Sequence, residues 1–336
     1  MNTTQGIKNI AVLGAGSWGT AAATLLCRND HNVTLWSRDT EKIAVVAKEL
    51  ENKEYLPGVR LDSRMQFTDD ISCVRDKDMV VMVTPSASIR SMARQISGLI
   101  DKDTVIVVLA KGLEQGSYKT MTEVIADECP GAKIAAMSGP SHAEEASRGI
   151  PTLNVVASED EQTAVFVQDV FMSEVFRIYT SSDVKGVELG GALKNVIALC
   201  AGITDGIGFG DNTKAALMTR GISEIARLGV ALGADSDTFW GLSGIGDLIV
   251  TCTSMHSRNR RAGILIGKGM SSEEAQQEVH MVVEGISTAK AAYELSKKCG
   301  VEMPIVQAAY DVLYKGKNPR EAVTNLMLRD RKNEKF

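Results

Sequence analysis

Ile10-Ala11-Val12-Leu13 runs directly into Gly14-Ala15-Gly16-Ser17-Trp18-Gly19, and an Ala- and Leu-rich stretch comes next. The order is strand, glycine turn, helix, which opens a βαβ unit of the dinucleotide-binding kind. Gly14 allows the tight turn, Gly16 lets the backbone approach a pyrophosphate, and Gly19 lets the helix lie close on the strand. The phosphates then meet the open amides and the positive dipole end of that helix. Many proteins share the glycine pattern alone. Here its weight comes from its context, after a strand, before a helix and near the N-terminus.

Working outward, Asn29-Asp30-His31-Asn32 is a turn cluster and Val33-Thr34-Leu35-Trp36 reads as the second strand. A protein that prefers NAD usually ends this strand with Asp or Glu, set against the adenosine ribose. This chain has Ser37-Arg38, with Asp39 one step beyond. The planar fork of Arg38 suits a 2′-phosphate, which favours NADP(H), with NAD(H) as the second option. The alternative leaves Arg38 as a solvated surface charge and gives the ribose to Asp39.

Up to about residue 180, short β-branched runs alternate with helical stretches. Met79 to Val83, Val105 to Leu109, Ile134 to Met137, Leu153 to Ala157 and Phe176 to Tyr179 read as strands. Ile89, Met92, Ala93, Ile96 and Leu99 mark one helix face. From Asp183 onward long helical patterns take over. The predicted fold is an α/β Rossmann-like dinucleotide-binding domain with a mostly parallel sheet over residues 1–182. An all-α substrate-binding domain succeeds it over residues 183–336. Ligands in such sheets sit beyond the carboxyl ends of the strands, which singles out residues 14–19, 84–85, 111–112 and 138–141.

The 336 residues suffice for two cores, and the composition, 44% hydrophobic, is that of a globular protein. A net charge of −5 argues against a nucleic-acid or anionic-membrane partner, so any anionic substrate must meet local positive charge. No apolar run is expected to reach the length of a membrane span. The N-terminus lacks the layout of a signal peptide, which places the protein in the cytoplasm. The six cysteines are scattered singly and the four histidines show no ligand spacing, so neither disulfide nor metal is expected.

In the second half, Glu188-Leu189-Gly190-Gly191-Ala192-Leu193-Lys194-Asn195-Val196-Ile197 stands out. On a helix, Leu189, Leu193, Val196, Ile197 and Cys200 form a core stripe, and Lys194 shares its face with Gly186, Gly190 and Ala198. That face leaves room for a ligand, although close helix packing accounts for the glycines equally well. Lys111 directly succeeds a strand and is aimed at the ligand crevice by that position. Gly241-Leu242-Ser243-Gly244-Ile245-Gly246-Asp247 is a glycine-rich loop that ends in a carboxylate. Ser257-Arg258-Asn259 brings hydroxyl, guanidinium and amide donors to a helix start, either as a phosphate cradle or as an ordinary capped first turn. His142 has no partner spacing and reads as structural.

Gly-Ala-Gly-Ser-Trp-Gly-Thr-Ala at 14–21, Ser-Gly-Pro-Ser-His-Ala at 138–143, Glu-Leu-Gly-Gly-Ala-Leu-Lys-Asn-Val at 188–196 and Val-Glu-Gly at 283–285 resemble bacterial NAD(P)-dependent glycerol-3-phosphate dehydrogenase. The likeness spans nearly the whole chain, and His142 stands where many relatives carry an aromatic residue. It implies reversible reduction of dihydroxyacetone phosphate to sn-glycerol 3-phosphate, feeding glycerophospholipid synthesis. By resemblance, Lys194 is the general acid/base and Lys111 touches both substrate and cofactor. Asp247 orients Lys194 or a substrate hydroxyl. Gly139, Ser141, Ser257, Arg258 and Asn259 are implied in substrate binding. Ser17, Trp18, Arg38, Ala143, Arg258, Val282 and Glu284 match cofactor positions beside Gly14, Gly16 and Gly19. A homodimer is also implied. The rival classes are a related two-domain hydroxyacid dehydrogenase or ketoacid reductase, and a non-catalytic NADP(H)-sensing protein.

Overall fold

The computed structural model describes residues 6–331 and 333–334. The chain divides into two compact units, one of residues up to Ala110 with Met121–Val184, the other of Lys111–Thr120 with Lys185 and the residues after it. Residues 111–120, read from sequence as part of the sheet domain, group with the helices instead. The reason is apolar burial: Leu113 lies in the helical core and Tyr118 packs against it.

The first unit holds one eight-stranded sheet of β1 (Asn9–Leu13), β2 (Asn32–Trp36), β3 (Gln66–Thr68), β4 (Met79–Met82), β5 (Val105–Val108), β6 (Lys133–Ser138), β7 (Thr152–Ala157) and β8 (Phe176–Ser181). Its order is β3-β2-β1-β4-β5-β6-β7-β8. Every pairing is parallel except β6 with β7. The central strands are continuous apolar runs because both faces are buried. Ile10, Val12, Met79, Val81, Val105 and Val107 enter one core, and Ala11, Leu13, Val80, Met82, Ile106 and Val108 the opposite one. Strand β3, one exposed and two half-buried residues at the sheet edge, is too short to show an alternation and was not anticipated.

The covering helices are α1 (Ser17–Arg28), α2 (Thr40–Glu49), α3 (Ile89–Ile96), α4 (Met121–Glu128), α5 (Ala143–Ala146) and α6 (Glu161–Phe171). Leu13 is level with Trp36 on one side and Met82 on the other. The strand order reverses between β1 and β4, so the glycine turn leaves the sheet at its topological switch point, where doubly wound folds bind ligands.

The second unit is helical: α7 (Val184–Ile207), α8 (Asp211–Ala231), α9 (Asp247–Thr253), α10 (Arg258–Gly267), α11 (Ser272–Val279), α12 (Glu284–Lys298), α13 (Pro304–Lys315) and α14 (Pro319–Met327). Helix α7 runs through its core, with Leu193, Val196, Ile197, Ala198, Leu199 and Ala201 fully buried. One sequence expectation is corrected here. By length and composition α7 does reach the requirement for a membrane span, but its apolar window is wholly buried in the protein, as a core helix is.

Candidate active site

The glycine turn is built as its sequence requires. Gly14 has φ +119°, a conformation that side chains resist, and its amide donates to Trp36 O at 3.0 Å. A Cβ on Gly19 would lie 1.7 Å from Gly14 O, so α1 approaches β1 at backbone distance. A Cβ on Gly16 would meet nothing within 4 Å. Open space therefore lies over the start of α1, whose first helical bond runs from Thr20 N to Gly16 O. The amides of Ser17, Trp18 and Gly19 are the open donors of that end, and Gly16 supplies no side-chain cap. This arrangement fits a dinucleotide pyrophosphate.

The Trp18 indole is engaged elsewhere. Its Nε1 donates to Ser141 O at 2.9 Å, and the ring meets Phe176 edge-on. What Trp18 presents at the open end of α1 is therefore its main-chain amide. Ser141 Oγ donates to Gly139 O, and Gly139 has φ +151° with Asn154 packed where a Cβ would go. Ala143 begins α5 directly after His142. The sequence did not point to Asn52. It is buried and donates to both Ala15 O (2.9 Å) and Thr20 Oγ1 (2.8 Å), bracing the turn from a loop whose composition carries no signal.

At the end of β2, Arg38 is exposed and Asp39 is committed. The Asp39 carboxylate accepts from Lys42 N at 3.0 Å and caps α2. An N-cap aspartate spends one oxygen on the helix, which explains Asp39 structurally and leaves Arg38 as the charge facing solvent at this strand end.

In the second unit, one carboxylate organises two lysines. Asp247 Oδ1 accepts from Lys194 Nζ at 2.5 Å and Oδ2 from Lys111 Nζ at 2.7 Å. Lys194 Nζ also donates to Thr251 Oγ1 at 2.7 Å, and Thr251 in turn donates to Asp247 O. Asp247 reaches this place because Leu242–Gly246 is a single π-turn, closed by Gly246 N to Gly241 O, which feeds straight into α9. Gly190 packs on Ser243 of that turn, where a Cβ would lie 2.6 Å from the carbonyl, so backbone packing explains this glycine of the lysine's helix face.

Burial dominates the electrostatics. Desolvation pulls Lys194 down to about 8, against the attraction of Asp247 and with the repulsion of Lys111. Burial alone would raise Asp247, but the charges of Lys111 and Lys194 more than offset it and hold the carboxyl below its usual range. The cluster therefore carries two cations and one anion, a net positive charge at a buried proton donor. Two of the three ammonium donors of Lys194 are used by Asp247 and Thr251, which leaves one for a substrate oxygen.

Ser257 caps α10, its hydroxyl accepting from Arg260 N at 3.2 Å. The capped first turn is thus present. Arg258 is exposed at the first position of α10. Asn259 is buried and spans two elements, donating to Asn195 Oδ1 at 2.9 Å and accepting from Gly285 N at 2.8 Å. Asn195 donates onward to Lys111 O. Val282 is exposed just before the N-terminus of α12, where Glu284 is the first helical residue.

The family model of the NAD-dependent glycerol-3-phosphate dehydrogenase N-terminus matches residues 9–164, and that of its C-terminus residues 183–324. The chain belongs to this family. A Moorella thermoacetica protein named glycerol-3-phosphate dehydrogenase (NAD(P)+) is 55% identical over 328 residues, 97% of this chain and 98% of its own. A Desulfitobacterium hafniense protein of the same name is 51% identical over 325 residues, 97% of this chain and 92% of its own. The crystal structure of glycerol-3-phosphate dehydrogenase from Coxiella burnetii superposes with TM-score 0.92 at 36% identity, covering 96% of this chain and 99% of that one. Within this glycerol-3-phosphate dehydrogenase family member, Thr251 completes the lysine cluster and Asn195 braces the Lys111 carbonyl, and the sequence singles out neither. Thr251 lies one turn beyond Asp247 on α9, an i, i+4 relation that would have found it.

Proposed function

We propose that the chain catalyses the reversible reduction of dihydroxyacetone phosphate to sn-glycerol 3-phosphate, with NADP(H) preferred over NAD(H). The observation that carries this reading is the buried Lys194, held by Asp247 and Thr251 with a pKa drawn down to about 8. A lysine tuned to that range is mostly protonated at neutral pH yet releases its proton readily. A nicotinamide cofactor held at the glycine turn would supply hydride chemistry for the carbonyl carbon. Lys194 Nζ gives its proton to the carbonyl oxygen and takes it back in the reverse direction. Lys111 adds positive charge for the developing alkoxide, and Asp247 keeps both ammonium groups in place. Ser257, Arg258 and Asn259 are assigned to the phosphorylated substrate, and Gly139 and Ser141 are assigned to substrate contacts by resemblance. Ala143, Val282 and Glu284 complete the cofactor contacts, together with Arg258. Support for NADP(H) comes from Arg38, exposed where Asp39 is spent on its helix. In this reading the product feeds glycerophospholipid synthesis in the cytoplasm, and the working unit is a homodimer. The test is NADPH and NADH oxidation with dihydroxyacetone phosphate, run beside ketopantoate and other keto acids. Turnover of the keto acids without the triose phosphate would overturn the proposal.

A further inference from the structure

Between the lysine cluster and the Ser257-Arg258-Asn259 turn stands a set of contacts that neither proton transfer nor substrate binding uses. Lys194, Ala198, Gly202 and Asp205 lie at i, i+4, i+8 and i+11 on α7, one stripe of the helix. At the Gly202 level the backbones of α7 and α10 touch: a Cβ on Gly202 would lie 2.1 Å from Arg260 O, and one on Gly263 2.1 Å from Leu199 O. The contact continues at Gly206 and Gly267, whose own Cβ atoms would lie 2.3 Å from Ile264 O and Ile203 O. Glycines spaced four apart on both helices thus interlock main chain against main chain, with no side chain between them to yield.

Asp205 then fastens this crossing to the turn. Its Oδ2 accepts from Arg260 Nε at 2.9 Å and Nη2 at 2.8 Å, while Oδ1 takes Lys214 Nζ at 2.9 Å. The remaining arm of the same guanidinium, Nη1, donates to Thr253 O at 2.7 Å and meets Met255 Sδ at 3.2 Å. Arg260 N donates to Ser257 Oγ. Residue 260 therefore holds the 253–257 turn at both ends, by its side chain where α9 stops and by its backbone where α10 starts. A two-pronged guanidinium fixed by a carboxylate suits such a clamp because its geometry is set before it binds.

We propose that Asp205 and Arg260 are positioning residues that fix the Ser257-Arg258-Asn259 turn relative to Lys194, with α7 as the rigid ruler between them. Along the helix axis Asp205 lies about 16 Å from Lys194 at 1.5 Å per residue. The clamp sets where the substrate's phosphate is held when its carbonyl oxygen reaches the proton donor. It rests on the reading of residues 257–259 as the phosphate-binding part of the site.

The test is steady-state kinetics of Asp205→Asn and Arg260→Lys beside Arg258→Ala. Expected for both clamp variants is a rise of about tenfold in KM for dihydroxyacetone phosphate, the scale of one hydrogen bond to a charged group. The inhibition constant of inorganic phosphate rises by the same factor. The kcat pH profile and the Kd for NADPH stay where they were, because Lys194, Asp247 and Thr251 are untouched. Arg260→Lys keeps a cation beside Asp205 but lacks the second arm, so it carries the test if Asp205→Asn does not fold. Unchanged KM and phosphate inhibition in the clamp variants, with both raised in Arg258→Ala, overturn the clamp and leave the phosphate turn standing. If Arg258→Ala also leaves both unchanged, the phosphate reading falls and takes the clamp with it. A clamp variant that shifts the kcat pH profile acts through α7 itself, which also refutes the proposal.

Discussion

Lys111 and Lys194 hold opposite oxygens of a single carboxylate, that of Asp247. Two cations therefore share one counter-ion in a place where one of them, Lys194, is buried. The surplus positive charge suits an alkoxide, and it tunes Lys194 from two sides.

Removal of the Lys194 ammonium should stop proton transfer and spare the glycine turn. Lys194→Ala is expected to lower kcat by roughly 10²–10⁴-fold, the usual worth of a positioned acid/base. The NADPH Kd, measured by fluorescence titration, should stay within about threefold. A variant with undiminished kcat would take Lys194 out of the mechanism.

The pH dependence has a definite sign. With Lys194 as the proposed acid, reduction should decline as pH rises through about 8, whereas oxidation of glycerol 3-phosphate should rise through the same point. Asp247 favours the charged lysine and Lys111 disfavours it. In Asp247→Asn the alkaline limb of the reductive profile should therefore move to lower pH, and in Lys111→Met to higher pH. Shifts in the same direction for the two variants would contradict the shared-carboxylate arrangement.

In the proposed reading Arg38 sets the cofactor choice. Arg38→Ala should weaken NADPH on the order of 100-fold, the loss of a bidentate phosphate contact, with NADH changed far less. Equal weakening of both cofactors in parallel titrations would return Arg38 to the solvated surface and the ribose to Asp39.

Glu224 tests stability rather than chemistry. Buried on α8, its carboxylate accepts from Ile305 N at 2.8 Å and Val306 N at 3.3 Å, capping α13. Burial pushes it up to about 7 from an ordinary 4.5. A folded acid with a raised pKa binds its proton before the unfolded chain does, so its contribution to stability falls as pH rises from about 4.5 to 7. Glu224→Gln should remove that slope from denaturant midpoints, and Glu224→Ala should cost about 1–3 kcal/mol by leaving two buried amides without acceptors. A Gln variant with the wild-type slope would show that another group titrates.

The sheet was readable because its central strands are unbroken apolar runs and its turn needs glycine at fixed places. Edge strand β3 was not, since three residues carry no period. Lys194 and Asp247 could each be picked out by their neighbours in sequence, but their pairing could not. Fifty-three positions separate them, and the π-turn that aims Asp247 leaves no mark beyond its glycines. Lys111 was found for its position after a strand, yet its place with the helices comes from Leu113 and Tyr118, whose burial depends on distant partners. Asn52 and Asn195 act through their amides on main-chain carbonyls and on the side chains of Thr20 and Asn259, and nothing in composition separates them from any surface asparagine.

Helix α7 has one more consequence, for synthesis. Its apolar residues are covered by Ile222, Ile225, Phe239, Leu248, Ala262 and Ile266, all of which lie later in the chain. At roughly 5–20 residues per second the ribosome needs on the order of 10 s to make the chain beyond α7. During that interval a segment greasy enough for a bilayer is in water without its cover. The growing chain thus passes through a stage in which a long apolar helix lacks the residues that later cover it.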